Sequence, residues 1–342
     1  MVSFAEVGLT QINRHLLPSP RAVGWYFVSS GLLLVCLTVV HAQSSRALSA
    51  LAYVERGNQW MDKGEWDRAI ADFNLAVATD PRAAVGYNNR GVARQARGDL
   101  DGALADFNCA LEIDPRYLKA YHNRGLLRDA RREYDEAIAD FSQALELDPR
   151  YARAFSNHAN ARYVKGDIAG AIADCDRALA LNPRSRLAHN PRGLARQKQR
   201  DLDGAIADFS QAIVIDPNFA QGYYNRGNAY LEKGAEERAL ADYTRAIALN
   251  PNFAQAYNNR GVLYLTQGKL DRALADYDQA IRLQAPSAAL YLNRGLIKLL
   301  LGQAVEAQED FDQCLALDQK LKPSLEQRIE QAKQLLAADA KR

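Results

Sequence analysis

The sequence predicts an all-α protein, a solenoid in which helical hairpins stack one upon the next. A phrase such as Tyr-Asn-Asn-Arg-Gly recurs along the chain, and its fifth residues are spaced by 34 residues at every step from 57 to 295. Two amphipathic stretches fit within each period. A single hairpin of that length cannot bury both of its faces, so neighbouring hairpins must stack.

Eight repeats cover residues 50–321 without an insertion. They are 50–83, 84–117, 118–151, 152–185, 186–219, 220–253, 254–287 and 288–321. In each repeat, small and apolar residues recur at the i, i+3, i+4, i+7 spacing of an amphipathic helix, once before and once after position 15. Gly at position 15 in six repeats predicts the turn between the helices. Asp-Pro or Asn-Pro closes six repeats, because Pro cannot continue a helix.

Small residues at fixed positions indicate that the two helices of each hairpin approach closely. Gly stands at position 8 in seven repeats and Ala at position 20 in all eight, with aromatic residues at positions 4 and 24 in most. This pattern resembles the tetratricopeptide repeat (TPR) family. The resemblance implies a right-handed superhelix whose first helices line a concave groove, and it implies binding of an extended peptide or a partner helix there.

Two positions depart from the family pattern, since Arg occupies position 7 in seven repeats and Asp occupies position 23 in all eight. Both positions lie eight residues from the turn, so they come level across an antiparallel hairpin. We expect an inward-facing Arg–Asp pair in each repeat, bidentate where the geometry allows. The pairs are Arg56–Asp72, Arg90–Asp106, Arg124–Asp140, Arg192–Asp208, Arg226–Asp242, Arg260–Asp276 and Arg294–Asp310.

Repeats 4 and 5 are irregular. His158, Ala159 and Cys175 replace the Arg, the Gly and the second aromatic residue of repeat 4, and repeat 5 has Pro191 within its first helix. The pattern is consistent with a soft joint at this junction or with ordinary sequence drift.

Asn side chains recur where TPR proteins contact their ligands. An amide offers donors and an acceptor that suit any peptide backbone. The alternative is that the Asn residues at position 6 only bond neighbouring helices. The candidate groove residues are Asn58, Asn88, Asn89, Lys119, Asn123, Asn160, Asn190, Asn225, Asn228, Asn258, Asn259 and Asn293. Asn58, Asn89 and Lys119 match three of the five positions of the family's carboxylate clamp, whereas Val54 and Asn123 depart from it.

The first helix of repeat 8 has an apolar side formed by Leu292, Leu296, Leu299 and Leu300. An exposed aliphatic patch of this kind marks interaction sites. The alternative is cover by the C-terminal segment, residues 322–342. We expect that segment to form a capping helix that shields the second helix of repeat 8.

A basic flank, residues 1–21, precedes an apolar segment, residues 22–45, that contains no charged side chain. The segment is long enough to cross a bilayer, and it also fits a cleaved signal peptide or, less well, a buried helix. We expect an exported or membrane-anchored protein whose repeats face the extracytoplasmic side.

The remaining composition argues against several classes of function. Forty-three Lys and Arg against 41 Asp and Glu leave a net charge of +2, which does not suit a nucleic-acid-binding protein. No pattern of His or Cys indicates a metal site, and no motif indicates a cofactor or catalysis. The sequence therefore predicts a non-enzymatic scaffold that binds a protein or peptide partner. The alternatives are a homo-oligomeric structural element and a module that delivers a substrate to a separate enzyme.

Overall fold

The computed structural model describes residues 49–339, which form α-helices joined by short turns. α1 covers residues 49–62 and α2 is Trp66–Thr79. The further helices are α3 (Ala84–Arg97), α4 (Leu100–Ile113), α5 (Leu118–Ala130), α6 (Tyr134–Leu147), α7 (Ala152–Lys165), α8 (Ile168–Leu181), α9 (Arg186–Lys198), α10 (Leu202–Ile215), α11 (Ala220–Glu232), α12 (Glu236–Leu249), α13 (Ala254–Thr266), α14 (Leu270–Leu283), α15 (Ala288–Leu300), α16 (Ala304–Leu317) and α17 (Lys322–Asp339). A 3₁₀ turn, Gln319–Leu321, precedes α17.

The helices pair into the predicted hairpins. Odd-numbered helices from α3 to α15 are the first helices of repeats 2–8 and begin 34 residues apart, and even-numbered helices are the second helices. The chain divides into two compact units, one up to Ala120 and one from Tyr121 onward. The first unit contains α1–α4, and the second contains most of α5 and all helices from α6 to α17. Within the described residues the fold is therefore an all-helical solenoid of hairpins.

Close approach within each hairpin depends on the Gly at position 8. A Cβ atom built on Gly125 would lie 2.7 Å from the Phe141 ring, and one on Gly91 would lie 2.7 Å from the Phe107 ring. Real Cβ contacts are not that short, so the ring excludes any larger residue. Repeat 4 solves the same problem differently, because Cys175 replaces the ring and leaves room for the Cβ of Ala159.

The turns between helices require a left-handed residue at position 15. Six glycines take positive φ there, from +68° at Gly268 to +89° at Gly166. Arg132 and Arg200 occupy this position in repeats 3 and 5, with φ of 64° and 66°. An L-residue pays a conformational cost in this region that Gly does not.

The C-terminal helix α17 begins at Lys322, 34 residues after α15, and so takes the register of a ninth first helix. Leu325 and Ala332 pack with Leu292 and Leu296 of α15 and with the Phe311 side of α16. The capping helix therefore packs mainly against the first helix of repeat 8, α15, which corrects the expectation that it shields the second helix.

This packing overturns the prediction of an exposed apolar patch on repeat 8. Leu292 and Leu296 are only 5% and 8% exposed, and Leu299 and Leu300 are half-buried against the same cluster. The alternative, cover by the C-terminal segment, is correct because α17 packs over these side chains and shields them from solvent.

The basic flank and the apolar segment, residues 1–21 and 22–45, lie outside the described residues. Among residues 49–339, no helix is both long enough and apolar enough to cross a membrane.

Candidate functional site

The Arg–Asp pairs form in every repeat that carries both residues. In repeat 3, Arg124 donates from Nε to Asp140 Oδ2 at 2.9 Å and from Nη2 to Oδ1 at 2.6 Å. The other bidentate pairs are Arg56–Asp72, Arg90–Asp106, Arg192–Asp208, Arg226–Asp242, Arg260–Asp276 and Arg294–Asp310. Each of these carboxylates is buried.

A second cation, which the Arg–Asp pattern alone did not predict, joins most of these carboxylates. Arg128 at position 11 donates from Nη1 to Asp140 Oδ2 at 2.6 Å. The same position supplies Arg94, Arg162, Arg196 and Lys298 to the Asp residues of their own repeats. The repeated basic residue at position 11, four residues after the first Arg, was the signal for it.

The Arg at position 7 also reaches the preceding hairpin. Arg192 Nη1 donates to Asp176 of α8 at 2.6 Å, and Arg294 Nη1 donates to Asp278 of α14 at 2.8 Å. Ser210 and Thr244 accept from Arg226 and Arg260 in the same way. The Arg at position 7 therefore connects the two helices of its own repeat and also connects that repeat to the preceding one. These contacts indicate a structural role for the Arg.

Histidines replace parts of this network in the irregular repeats. His158 Nδ1 lies 2.9 Å from Asp174 Oδ2. His189 Nδ1 lies 2.9 Å from Asp208 Oδ1, and its Nε2 lies 3.1 Å from the carbonyl oxygen of Pro183. Burial alone would raise the pKa of Asp208, but the hydrogen bonds from His189 and Arg192 outweigh it and lower that pKa.

The Asn residues at position 6 form contacts between neighbouring first helices. Asn89 donates to Asn58 Oδ1 at 2.8 Å, and Asn259 donates to Asn228 Oδ1 at 2.9 Å. Asn225 donates to Asn190 Oδ1 at 2.9 Å. These contacts match the alternative in which the amides bond neighbouring helices.

Other candidate groove residues take several environments. Asn88 is buried and donates to Asn89, and Asn258 donates to Asn259. Asn293 donates to the Tyr277 hydroxyl and accepts from Arg328 of α17. Asn123 and Asn160 are half-buried, and Lys119 is exposed.

Some amide groups remain open toward solvent on α11 and α13. Asn228 Oδ1 accepts from Asn259 and from the Tyr243 hydroxyl, which leaves the Asn228 Nδ2 group without a partner among the described residues. Asn258 uses one N–H for Asn259, and its Oδ1 accepts no hydrogen bond from the described residues. One donor group on α11 and one acceptor on α13 therefore remain available on half-buried side chains.

A cleft of about 660 Å³ opens on the first helices of repeats 4–6. Its lining residues are Tyr163 of α7; Leu194, Gln197 and Lys198 of α9; Arg200 of the following turn; and Glu232 of α11. Apart from Arg200, they occupy positions 9, 12 and 13, where TPR proteins contact ligands. The repeat pattern does not single out these residues, because their types differ from repeat to repeat.

Among the residues that the structure describes, no group of three His, Cys, Asp or Glu side chains could hold a metal ion. Cys109, Cys175 and Cys314 are free thiols. Burial raises the pKa of the Cys175 thiol to about 12, so this side chain stays protonated and packs as a small apolar residue.

Family models match most of the repeat array. Models described as tetratricopeptide repeat match residues 84–117, 118–151, 254–285 and 288–321, and one described as TPR repeat matches 198–234 and 227–268. Comparison with curated protein sequences gives no significant match.

Solved structures share the fold. A tetratricopeptide repeat protein from Parabacteroides merdae is 22% identical, with a TM-score of 0.59, and the match covers 73% of this chain and 99% of that one. The Cut9–Hcn1 hetero-tetramer gives 17% identity, 77% and 48% coverage, and a TM-score of 0.60. PilF of Pseudomonas aeruginosa gives 19% identity, 60% and 94% coverage, and a TM-score of 0.55. Repeat period, hairpin geometry and family models agree: the chain belongs to the tetratricopeptide repeat family.

Proposed function

We propose that this chain is a non-enzymatic scaffold that holds an extended segment of a protein partner on its first-helix face, the surface formed by α7, α9, α11 and α13. TPR repeats generally serve as interaction scaffolds. The cleft on α7, α9 and α11 is the observation that carries the proposal, because it joins an apolar floor to a polar rim as ligand sites do.

The cleft suits one apolar side chain of a bound segment. Tyr163 and Leu194 supply apolar surface at its floor, and both are half-buried. Hot-spot residues of protein interfaces often anchor a partner by filling a pocket of this kind.

The open amides on α11 and α13 suit the backbone on either side of that anchor. An extended peptide presents one N–H and one C=O at each residue. The Asn228 Nδ2 group can donate to a carbonyl, and Asn258 Oδ1 can accept from an amide. Because Asn259 and Asn225 join neighbouring helices, they support this surface and do not contact the partner.

The test uses a peptide selected against the full chain from a random 12-residue phage library and then synthesised. We expect Tyr163→Ala with Leu194→Ser to weaken its binding by about tenfold or more, measured by isothermal titration calorimetry. Val214→Ser is the matched control, since Val214 is 69% exposed on α10, a second helix. Selection of no peptide, or an equal loss in the control, would overturn the proposal.

Asn228→Asp tests the backbone contact separately. The substitution keeps the oxygen that accepts from Asn259 and Tyr243, and it removes the two donors that face the partner. We expect an affinity loss of about 0.5–1.5 kcal/mol with little change in melting temperature. Parental affinity would show that the Asn228 donors do not contact the segment.

Two further points stay proposals. The apolar run in residues 22–45 supports export or membrane tethering, which cell fractionation with and without Leu33→Lys and Leu34→Lys would test. Homo-oligomerisation is the second point. Because Leu292 and Leu296 are buried, the apolar side of repeat 8 does not offer a surface for it. Sedimentation at several concentrations measures the oligomeric state directly.

A further inference from the structure

We propose that the cleft selects a carboxylate-bearing partner segment, in which Asp or Glu residues flank the apolar anchor. This inference rests on the proposed function and assigns the chemistry of the segment. Two observations carry it: two cations at the cleft face one carboxylate, and apolar side chains form the floor between them.

A series of ion pairs between neighbouring repeats, here called the ion-pair ladder, lies near the turns that join the two helices of each repeat. Lys165 at position 14 of repeat 4 pairs with Asp135 at position 18 of repeat 3, with Nζ 2.9 Å from Oδ2. Lys233 of repeat 6 pairs with Asp203 of repeat 5 in the same way. Between them the ladder is broken, because Ala169 and Gln199 occupy the two positions. The acid and its cationic partner are both replaced at this junction, so the pair contributes no charge of either sign beside the cleft.

The cleft itself has an excess of positive charge. Lys198 is exposed and has no ion-pair partner among the described residues. Arg200 pairs with Glu232 at 3.2 Å, but its side chain is 80% exposed, so the pair is solvated and weak. Two cations thus face one carboxylate, and that carboxylate also accepts from Gln197. An anionic group of the partner fits the remaining charge.

Arg200 is also placed where the backbone favours Gly. Its φ of 66° costs free energy that the six glycines at this position avoid. Arg132 shares this conformation in repeat 3 without lining a cleft, so the conformation alone assigns nothing. What distinguishes Arg200 is that the turn directs it to the rim beside Lys198.

A carboxylate suits this rim better than a phosphate. Carboxylates carry one charge each and can be spread along the segment between Lys198 and Arg200. A phosphoserine would place nearly two negative charges and three acceptor oxygens close to Glu232. We therefore commit to Asp or Glu as the source of the charge.

The experiment compares three synthetic 12-residue peptides with the same central Phe and Leu. One carries four Asp or Glu residues around them, the second carries the matching Asn and Gln, and the third carries two phosphoserines. Titration calorimetry with the full chain should show the carboxylate peptide bound about tenfold or more tightly than the amide peptide, with an affinity that falls as salt rises. The phosphoserine peptide should bind less tightly than the carboxylate peptide.

Charge-reversal variants test whether the cleft cations cause the preference for the carboxylate peptide. Lys198→Glu with Arg200→Glu should abolish the preference for the carboxylate peptide. Arg132→Glu with Lys269→Glu changes the net charge equally, again replaces one left-handed Arg, and lies away from the cleft. This control should keep the preference.

Arg200→Gly separates binding from folding. We expect this variant to melt at a higher temperature, because strain is relieved, and to bind the carboxylate peptide several-fold more weakly. Equal affinity of the chain for carboxylate and amide peptides would overturn this inference and leave the proposed scaffold standing. Stronger binding of the phosphoserine peptide would overturn the carboxylate assignment. Failure of all three peptides, together with failure of the library selection, would count against both proposals.

Discussion

Asp140 meets three hydrogen-bond donors from two arginines, and 3% of its side chain is exposed. Asp140→Ala would leave Arg124 and Arg128 without the anion that they share. We expect the free energy of unfolding to fall by about 3–5 kcal/mol, measured by urea denaturation. Asp135→Ala is the control, since Asp135 is 74% exposed in a surface pair and its loss should cost less than about 1 kcal/mol. Equal effects of the two substitutions would contradict the structural role of the buried pair.

Ala159 and Cys175 form a matched exception to the Gly-and-ring packing of the other repeats. Cys175→Phe should destabilise the protein by about 1–3 kcal/mol, because the Cβ of Ala159 occupies the space that the ring needs. Adding Ala159→Gly should recover most of that loss. A double-mutant cycle by thermal denaturation measures the coupling, and additive effects would show that the two sites do not share this space.

His122 gives the stability a pH dependence. It packs against Phe141 and Tyr151, and Asn157 lies 2.9 Å from its Nε2. Burial, followed by the positive charge of Arg153, lowers its pKa from 6.5 to about 4. Because the folded-state value is the lower one, stability is full above pH 6.5 and is lost as the pH falls toward 4. The loss is on the order of 3 kcal/mol.

The measurement compares denaturation midpoints of the parent and of His122→Asn between pH 7 and pH 4. Asn occupies the same position in repeat 2, as Asn88. In the variant, stability should fall less between pH 7 and pH 4, because the contribution from protonation of His122 is absent. Parallel curves for the two proteins would show that His122 does not titrate as the structure indicates.

Among the elements, the turns of repeats 3 and 5 are the places where a substitution should stabilise the fold. Arg132 has φ of 64° in a turn that six other repeats build with Gly. We expect Arg132→Gly to raise the free energy of unfolding by about 1 kcal/mol. Gly98→Ala, at the same position of repeat 2, should lower it by a similar amount. A loss of stability in Arg132→Gly would mean that its side chain contributes more than its backbone costs.

Most of the element structure could be predicted from the sequence, because a 34-residue period fixes where each helix begins. The Arg–Asp pairs also followed from counting residues from the turn. The third donor at position 11 and the link to the preceding hairpin did not, since they depend on side-chain reach across two hairpins. The fate of Leu292 and Leu296 was open for the same reason: the sequence shows an apolar face, but only the packed structure shows that α17 covers it.

The residues that line the cleft were not among those predicted from the sequence. Recurrence pointed to the Asn rows, and the Asn residues at position 6 of repeats 2, 6 and 7 join neighbouring first helices. Residues that recur in every repeat maintain the array, whereas Lys198, Gln197 and Glu232 occur at variable positions and line the cleft. A single sequence offers no periodicity from which to select such residues.

At the scale of the whole chain, repeats 4 and 5 should open more readily than repeats 6 and 7. Pro191 lies inside α9 and has no N–H, so the Leu187 carbonyl lacks its helical partner. Repeat 4 also lacks the ring that fills the other hairpins. Hydrogen exchange should therefore be faster in α7–α10 than in α11–α14, measured by mass spectrometry. Uniform protection across these eight helices would remove the case for a soft joint.

The start of α17 at Lys322 gives the C-terminal helix the register of a first helix, while its seat is the apolar surface of repeat 8. Its Arg328 even stands at repeat position 7, where the other first helices carry their network Arg. A duplication or deletion of one 34-residue module ahead of repeat 8 would leave this helix on the same neighbours, Leu292 and Leu296. The number of repeats can therefore change by recombination while the same C-terminal helix continues to cover the last repeat.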